Sequence, residues 1–399
     1  YDFTGEPDVK WVHVSSRLGG ESAELWLDDF EWVDHVGPVL QSDGLALKET
    51  PGREGEHAVM ALVLRNAGDR PLPAGTAVLA LPAGLSTGAA RAGTPAIPPG
   101  KSAEVTWEVA GRRDRAGEAI RVAVDAGGLK AADELALAPE VELVGLHAPR
   151  VLLEDGQPTT LKLLVRNTGT AMAAGLKVKL DAPAGFTVQE LTGSGGVRPG
   201  KEDAVASWRI TPRGAMPLAA FRARLEGAEG EAVLRFTVAT RIPTDSSRAG
   251  RAYAWRGAPT PVIGSDKVRL LLAQVIPGDG LIAGAGVLQV RSGQSWRTVG
   301  VLPRLGLVAE EGAECALVAD GATARQDAKA AGLTLSGSVA VGGNTWNTRC
   351  ELTVEAGSDT IGFSMSATPS APAKLLAFEG PMLYAGDGDA TPREDAVVP

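Results

Sequence analysis

Apolar and polar residues alternate along most of the chain with a period of two. HAVMALVLRN (57–66), TAVLALPAG (76–84), AEVTWEV (103–109) and AIRVAVDAG (119–127) each turn a largely apolar face to one side, as half-buried strands require. The segments between carry turn chemistry: Asn66-Ala67-Gly68, Pro98-Pro99-Gly100-Lys101, Asn167-Thr168-Gly169 and Arg198-Pro199-Gly200-Lys201. From 266 to 385 the strands lengthen, as in KVRLLLAQVI, WRTVGVLPRLGLVAE, LTLSGSVAVG and RCELTVEAG. The pattern predicts an all-β, multidomain chain.

An internal repeat organises its first part. LVLRNAG (62–68) matches LLVRNTG (163–169), LPAGL matches APAGF, and PPGKSAEVTWEV (98–109) matches RPGKEDAVASWRI (198–210). Asn66 and Asn167, Pro82 and Pro183, and Trp107 and Trp208 all stand 101 residues apart. That period exceeds any solenoid repeat and suits an immunoglobulin-like sandwich. The expected plan is a short remnant at 1–38, tandem Ig-like sandwiches at 39–140 and 141–240, a linker at 241–262 and a larger antiparallel β-sandwich at 263–399. Trp107 and Trp208 recur inside a strand, which assigns them to core filling between two sheets.

Composition narrows the class. Gly 50 and Pro 26 are too many for a helical bundle, while 44% hydrophobic residues argue against general disorder. A net charge of −9 without a basic run speaks against nucleic acid as a partner. No stretch of 18 apolar residues exists to span a membrane. The chain begins at Tyr1 in strand-like text, without an initiator Met or signal peptide, and is expected to be a piece of something longer. Cys315 and Cys350 both lie in strand-like text, so a disulfide of an oxidising compartment and two buried thiols remain open alternatives.

Strands bearing V/L-x-N-x-G, then P-x-G, then a Pro-Gly-Lys turn before a Trp strand resemble bacterial CARDB-type and α-galactosidase-associated Ig-like modules, over roughly 40–240. Such modules imply a spacer or adhesion unit and bring no catalytic residues. WVHVSS and SAELWLDDFEWVD in 1–38 resemble the closing strands of a jelly-roll carbohydrate-binding module. GQSWRTVG, GNTWNTRCELTVEAG and LLAFEGPMLYAGDG resemble the supersandwich domain that precedes a helical barrel in carbohydrate-active enzymes. That resemblance implies a catalytic domain C-terminal to Pro399.

Candidate chemistry is sparse. Trp11, Trp26 and Trp32 offer π-faces for sugar stacking or seal a core. Asp28 and Asp29, and Asp387 and Asp389, are carboxylate pairs that suit a structural Ca²⁺, although neither run supplies a full ligand loop; no other cofactor is expected. Gly84-Leu85-Ser86-Thr87-Gly88 matches G-x-S-x-G, but Gly185-Phe186-Thr187-Val188-Gln189 in the second repeat has no Ser, so the match is accidental. The four His are scattered without zinc spacing, and Glu379 has no evident carboxylate partner. No catalytic residue is assigned. The expected role is a non-catalytic accessory region of a large secreted glycoside hydrolase or polysaccharide lyase, with polysaccharide as partner and an extracellular or cell-surface location. The alternative is a stalk or adhesion segment of a bacterial surface protein.

Overall fold

The computed structural model describes residues 37–386, apart from 115, 194–195, 258–260, 275–280 and 311. Among the described residues there are strands and turns and no helix. The chain divides into two compact units. The first holds residues through Val141 together with Asn167–Ala173 and Arg198–Lys201; the second holds the remainder.

The first sandwich is built from β1 (Leu40–Glu49), β2 (His57–Asn66), β3 (Gly75–Ala80), β4 (Leu85–Thr87), β5 (Arg91–Thr94), β6 (Ser102–Gly111), β7 (Ala119–Ala126) and β8 (Leu129–Ala136). One sheet runs β1-β2-β6-β4 and the other β5-β3-β7-β8. The period-two pattern sends Met60, Leu62, Leu64, Ala77, Leu79, Val105, Ile120, Val122 and Val124 into one core around Trp107, which is 4% exposed.

The second sandwich repeats this plan with β9 (Val141–His147), β10 (Leu152–Glu154), β11 (Thr159–Asn167), β12 (Val178–Asp181), β13 (Phe186–Gly193), β14 (Glu202–Pro212), β15 (Met216–Leu225) and β16 (Ala232–Ala239). Its sheets run β9-β11-β14-β13 and β10-β16-β15-β12. Trp208 is buried at the position equivalent to Trp107, opposite Leu161 as Trp107 is opposite Met60. Phe186, Phe221 and Phe236 pack edge to face, with centroids 4.9 Å apart for the first pair and 5.4 Å for the last two.

The repeat anchors have a direct structural meaning. Asn66 is fully buried; its Oδ1 accepts from Gly68 N (3.0 Å) and Val39 N (3.2 Å), and its Nδ2 donates to Arg70 O (2.7 Å) and Ile97 O (2.9 Å). Asn167 accepts from Gly169 N (3.0 Å) and Glu140 N (3.3 Å) and donates to Ala171 O (2.8 Å). One amide thus satisfies the backbone of a turn that would otherwise be buried without partners. The N-x-G motif is this turn.

The C-terminal region contains β17 (Ala252–Trp255), β18 (Val262–Ser265), β19 (Val268–Gln274), β20 (Leu281–Ser292), β21 (Ser295–Leu302), β22 (Gly306–Ala309), β23 (Glu314–Ala316), β24 (Val318–Ala319), β25 (Gly321–Gln326), β26 (Ala330–Val341), β27 (Asn344–Glu355), β28 (Gly362–Pro369), β29 (Leu375–Glu379) and β30 (Tyr384–Ala385). A seven-stranded sheet follows the order β17-β18-β19-β20-β21-β30, with β24 also on β20. The four strands β25-β26-β27-β28 form a second sheet and β23-β22-β29 a third. β17 arises inside the Pro-, Ser- and Arg-rich stretch 241–262 and pairs with β18. The longest hairpin, β26–β27, turns on Gly342-Gly343, with φ of 58° and 73°. Two consecutive positive φ values match the right-handed twist of the flanking strands and exclude most side chains. Leu270, Leu305, Leu317, Leu333, Leu352 and Trp346 fill a core shared by the sheets. Cys315 and Cys350 are free thiols, and burial pushes the Cys350 thiol up to about 12.

Candidate functional site

Trp11, Trp26, Trp32, Asp28, Asp29, Asp387 and Asp389 all lie outside the described residues. Among the described residues no group of three or more His, Cys, Asp and Glu is placed to hold a metal ion, and no helix is long and apolar enough to cross a membrane. Ser86 sits in β4, antiparallel to β6, with its hydroxyl donating to Ala110 O at 3.3 Å. No helix follows it, so the strained strand-to-helix turn of a nucleophile elbow is missing. Trp255 is 38% exposed, but the Arg248 guanidinium lies 3.6 Å from its ring centroid and occupies that face.

Three features stand out, all in the second unit. The first is a charge cluster. Arg235 of β16 pairs bidentately with Glu314 of β23, and Arg304 Nη2 lies 3.5 Å from Glu379 of β29. Burial of the Arg304 guanidinium lowers its pKa, and the hydrogen bonds from Arg235 hold the Glu314 carboxyl below the usual range. Burial pushes the neighbouring Tyr384 phenol up. A Cβ on Gly306 would stand 2.7 Å from Glu379 Oε2, so glycine lets the carboxylate come close. Two cations and two anions neutralise one another here. The cluster ties strands together, and Glu379 faces an arginine rather than a second carboxylate. Sequence reasoning missed it because 79 residues separate Arg235 from Glu314.

The second feature is an apolar strip. Leu376 is 68% exposed, Leu383 53%, Phe378 41% and Met382 36%, while Leu375 of the same strand packs on the core. The stretch 375–384 therefore leaves large side chains in water, as the apolar text LLAFEGPMLY foreshadows. Contiguous exposed side chains of this kind mark interaction surfaces.

The third is a cleft of about 440 Å³ between β12 and β13, lined by Val178, Leu180, Val188, Val205 and Trp208, with Glu190 its only ionisable lining group. Two β-bulges shape it. Val205 is an extra residue in β14 relative to β11, and Leu191 an extra residue in β13 relative to β14. The sequence held a signal for the first: the Pro-Gly-Lys turns are 100 residues apart but the tryptophans 101.

The family model described as the NPCBM-associated, NEW3 domain of alpha-galactosidase matches residues 153–226, most of the second sandwich. No curated protein matches the chain. Among solved structures, a protein of unknown function from Porphyromonas gingivalis W83 is 17% identical over 50% of this chain and 97% of its own, with a TM-score of 0.18. Red sea bream transglutaminase is 16% identical over 51% of this chain, with a TM-score of 0.25; the match spans 31% of its length. Domains 4–9 of the surface layer protein SbsC are 11% identical over 84% of this chain and 47% of their own, at a TM-score of 0.23.

Proposed function

We propose that this chain is a non-catalytic accessory region of a larger secreted carbohydrate-active enzyme, a glycoside hydrolase or polysaccharide lyase. The NEW3 match over 153–226 carries this reading, because that domain is described with alpha-galactosidase. The shared topology and buried Asn and Trp extend it to the first sandwich, as a module of the same CARDB-like kind. The two sandwiches act as spacers, and the segment 1–38 is the end of a jelly-roll module that meets polysaccharide through Trp11, Trp26 or Trp32. Asp28 with Asp29, and separately Asp387 with Asp389, are the chain's candidate calcium ligands. The strip formed by Leu376, Phe378, Met382 and Leu383 is where a catalytic domain following Pro399 rests. The location that goes with this role is extracellular.

The 101-residue repeat favours a second reading, a stalk or adhesion segment of a bacterial surface protein. One measurement bears on both. The purified chain, offered a panel of polysaccharides and aryl glycosides, is expected to release no product. Turnover abolished by a single Asp, Glu or Ser substitution would overturn the non-catalytic reading. A chain that binds no polysaccharide even with Trp11, Trp26 and Trp32 intact favours the stalk.

A further inference from the structure

The open edge of the second sandwich is a strand-accepting site, and we infer that it accepts a second copy of this chain. In the first sandwich β5 leaves the sheet of β4, crosses over and pairs antiparallel with β3, placing Ala92 opposite Ala77. Ala77 and Leu79 are consequently 0% and 3% exposed. Their equivalents 101 residues on, Val178 and Leu180 of β12, are only half-buried. In the second sandwich β13 stays on β14 through Gly193 and no described strand covers β12. Beside that bare edge lie the cleft over Trp208 and the exposed Val188 and Leu191 of β13. An unpaired strand edge next to apolar side chains is a template for sheet extension.

Backbone direction and charge select the occupant. Glu226 N donates to Lys177 O, and amide directions alternate along an antiparallel strand. Val178 and Leu180 therefore turn their N–H and C=O away from β15, toward the open edge. Two copies of β12 joined about a two-fold axis through Leu180 exchange hydrogen bonds between the two Leu180 residues. The same register sets Lys179 opposite Asp181 of the other copy, twice, in the closer non-hydrogen-bonded positions. Lys179 and Asp181 are exposed, and among the described residues neither forms an ion pair. Lys on an edge strand ordinarily discourages pairing; here the facing Asp181 neutralises it. Each copy then lays Leu180 across the mouth of the other's cleft.

Sedimentation velocity of the whole chain, from low to high micromolar, tests this. A reversible dimer is expected. Lys179→Glu and Asp181→Lys each bring like charges face to face and should weaken the dimer at least ~10-fold. The double swap K179E/D181K restores the pairing and should recover the affinity to within about twofold. Thermal unfolding at a concentration where every form is monomeric should show all three variants folded, with Asp181→Lys only slightly lowered because it then faces Arg222 of β15. A chain that stays monomeric throughout overturns the inference, including the case in which a synthetic peptide of residues 89–97 binds and shows the edge to be a receptor for foreign strands. A dimer indifferent to the single swaps, or a double swap as weak as the singles, overturns it equally.

Discussion

The two sandwiches use the same anchors and close differently. In the first, the chain leaves β4 after three residues and returns as β5 on the opposite sheet, so the core around Trp107 is sealed. In the second, β13 runs for eight residues on β14, and an added short strand, β10, pairs parallel with β16 at the other edge instead. Val105 is paired with Leu62 in the first sandwich; the equivalent Leu163 meets the smaller Ala206, with Val205 bulged beside it. The missing crossover strand, two bulged residues (Val205 and Leu191) and the smaller Ala206 together separate a closed core from a cleft. Buried anchors preserve the fold, while edges are free to diverge because an edge strand has only one neighbour to satisfy.

The largest expected effect tests whether the cleft is real in solution. Trp107→Ala should destabilise by about 3–5 kcal/mol, the usual cost of emptying an aromatic core site. Trp208→Ala should cost roughly 1–2 kcal/mol less, since one wall of its site is already open and less new cavity is created. Hydrogen exchange read separately on β6 and β14 of the full chain measures each. Equal losses would mean that the second core is as closed as the first.

The turn amides should show no such asymmetry. Asn66→Ala and Asn167→Ala each strand several buried backbone groups, and about 2–4 kcal/mol is expected at both sites. Asn→Asp keeps the acceptor but sets a buried carboxylate oxygen against the carbonyls that Nδ2 served, so at neutral pH it should cost at least as much as Ala. A large difference between the two sites, again by hydrogen exchange at β2 and β11, would show that the shared motif does different work in each sandwich.

Much of this was legible in the residues. Period-two alternation located the strands, and the 101-residue offset identified two copies of one sandwich, because buried positions tolerate little change. Trp107 and Trp208 occupy the core as their recurrence implied. The route of the chain between 88 and 97 and between 189 and 197 was not legible. Both stretches are rich in Gly and small residues, which allow either a crossover or a continued strand, and only tertiary pairing decides. The Arg235–Glu314 and Arg304–Glu379 pairs were equally hidden, since charge partners distant in sequence leave no local pattern. The apolar run at 375–384 was visible, but alternation alone does not say whether its outward face is covered.

The smallest effect separates the two Pro-Gly-Lys turns. Within the first unit Lys201 Nζ lies 2.5 Å from Glu54 Oε2, and Arg198 bonds Glu56 at 2.8 Å. Lys101, at the equivalent turn, forms no ion pair among the described residues. The hydrogen bond from Lys201, helped by backbone amides, lowers the Glu54 carboxyl to about 2. A depressed carboxylate favours the folded state above its unfolded value, and that contribution fades as pH falls through about 2. Carbon-13 NMR of the glutamate carboxyls should therefore show Glu54 still ionised when most others have titrated. Lys201→Ala should return Glu54 toward the ordinary carboxylate value, while Lys101→Ala should leave it unmoved. The stability change from either substitution should be slight, because exposed pairs are screened by solvent and salt. Should Glu54 titrate normally in the unaltered chain, the turn at 198–201 is not held by this pair, and the two turns are alike after all.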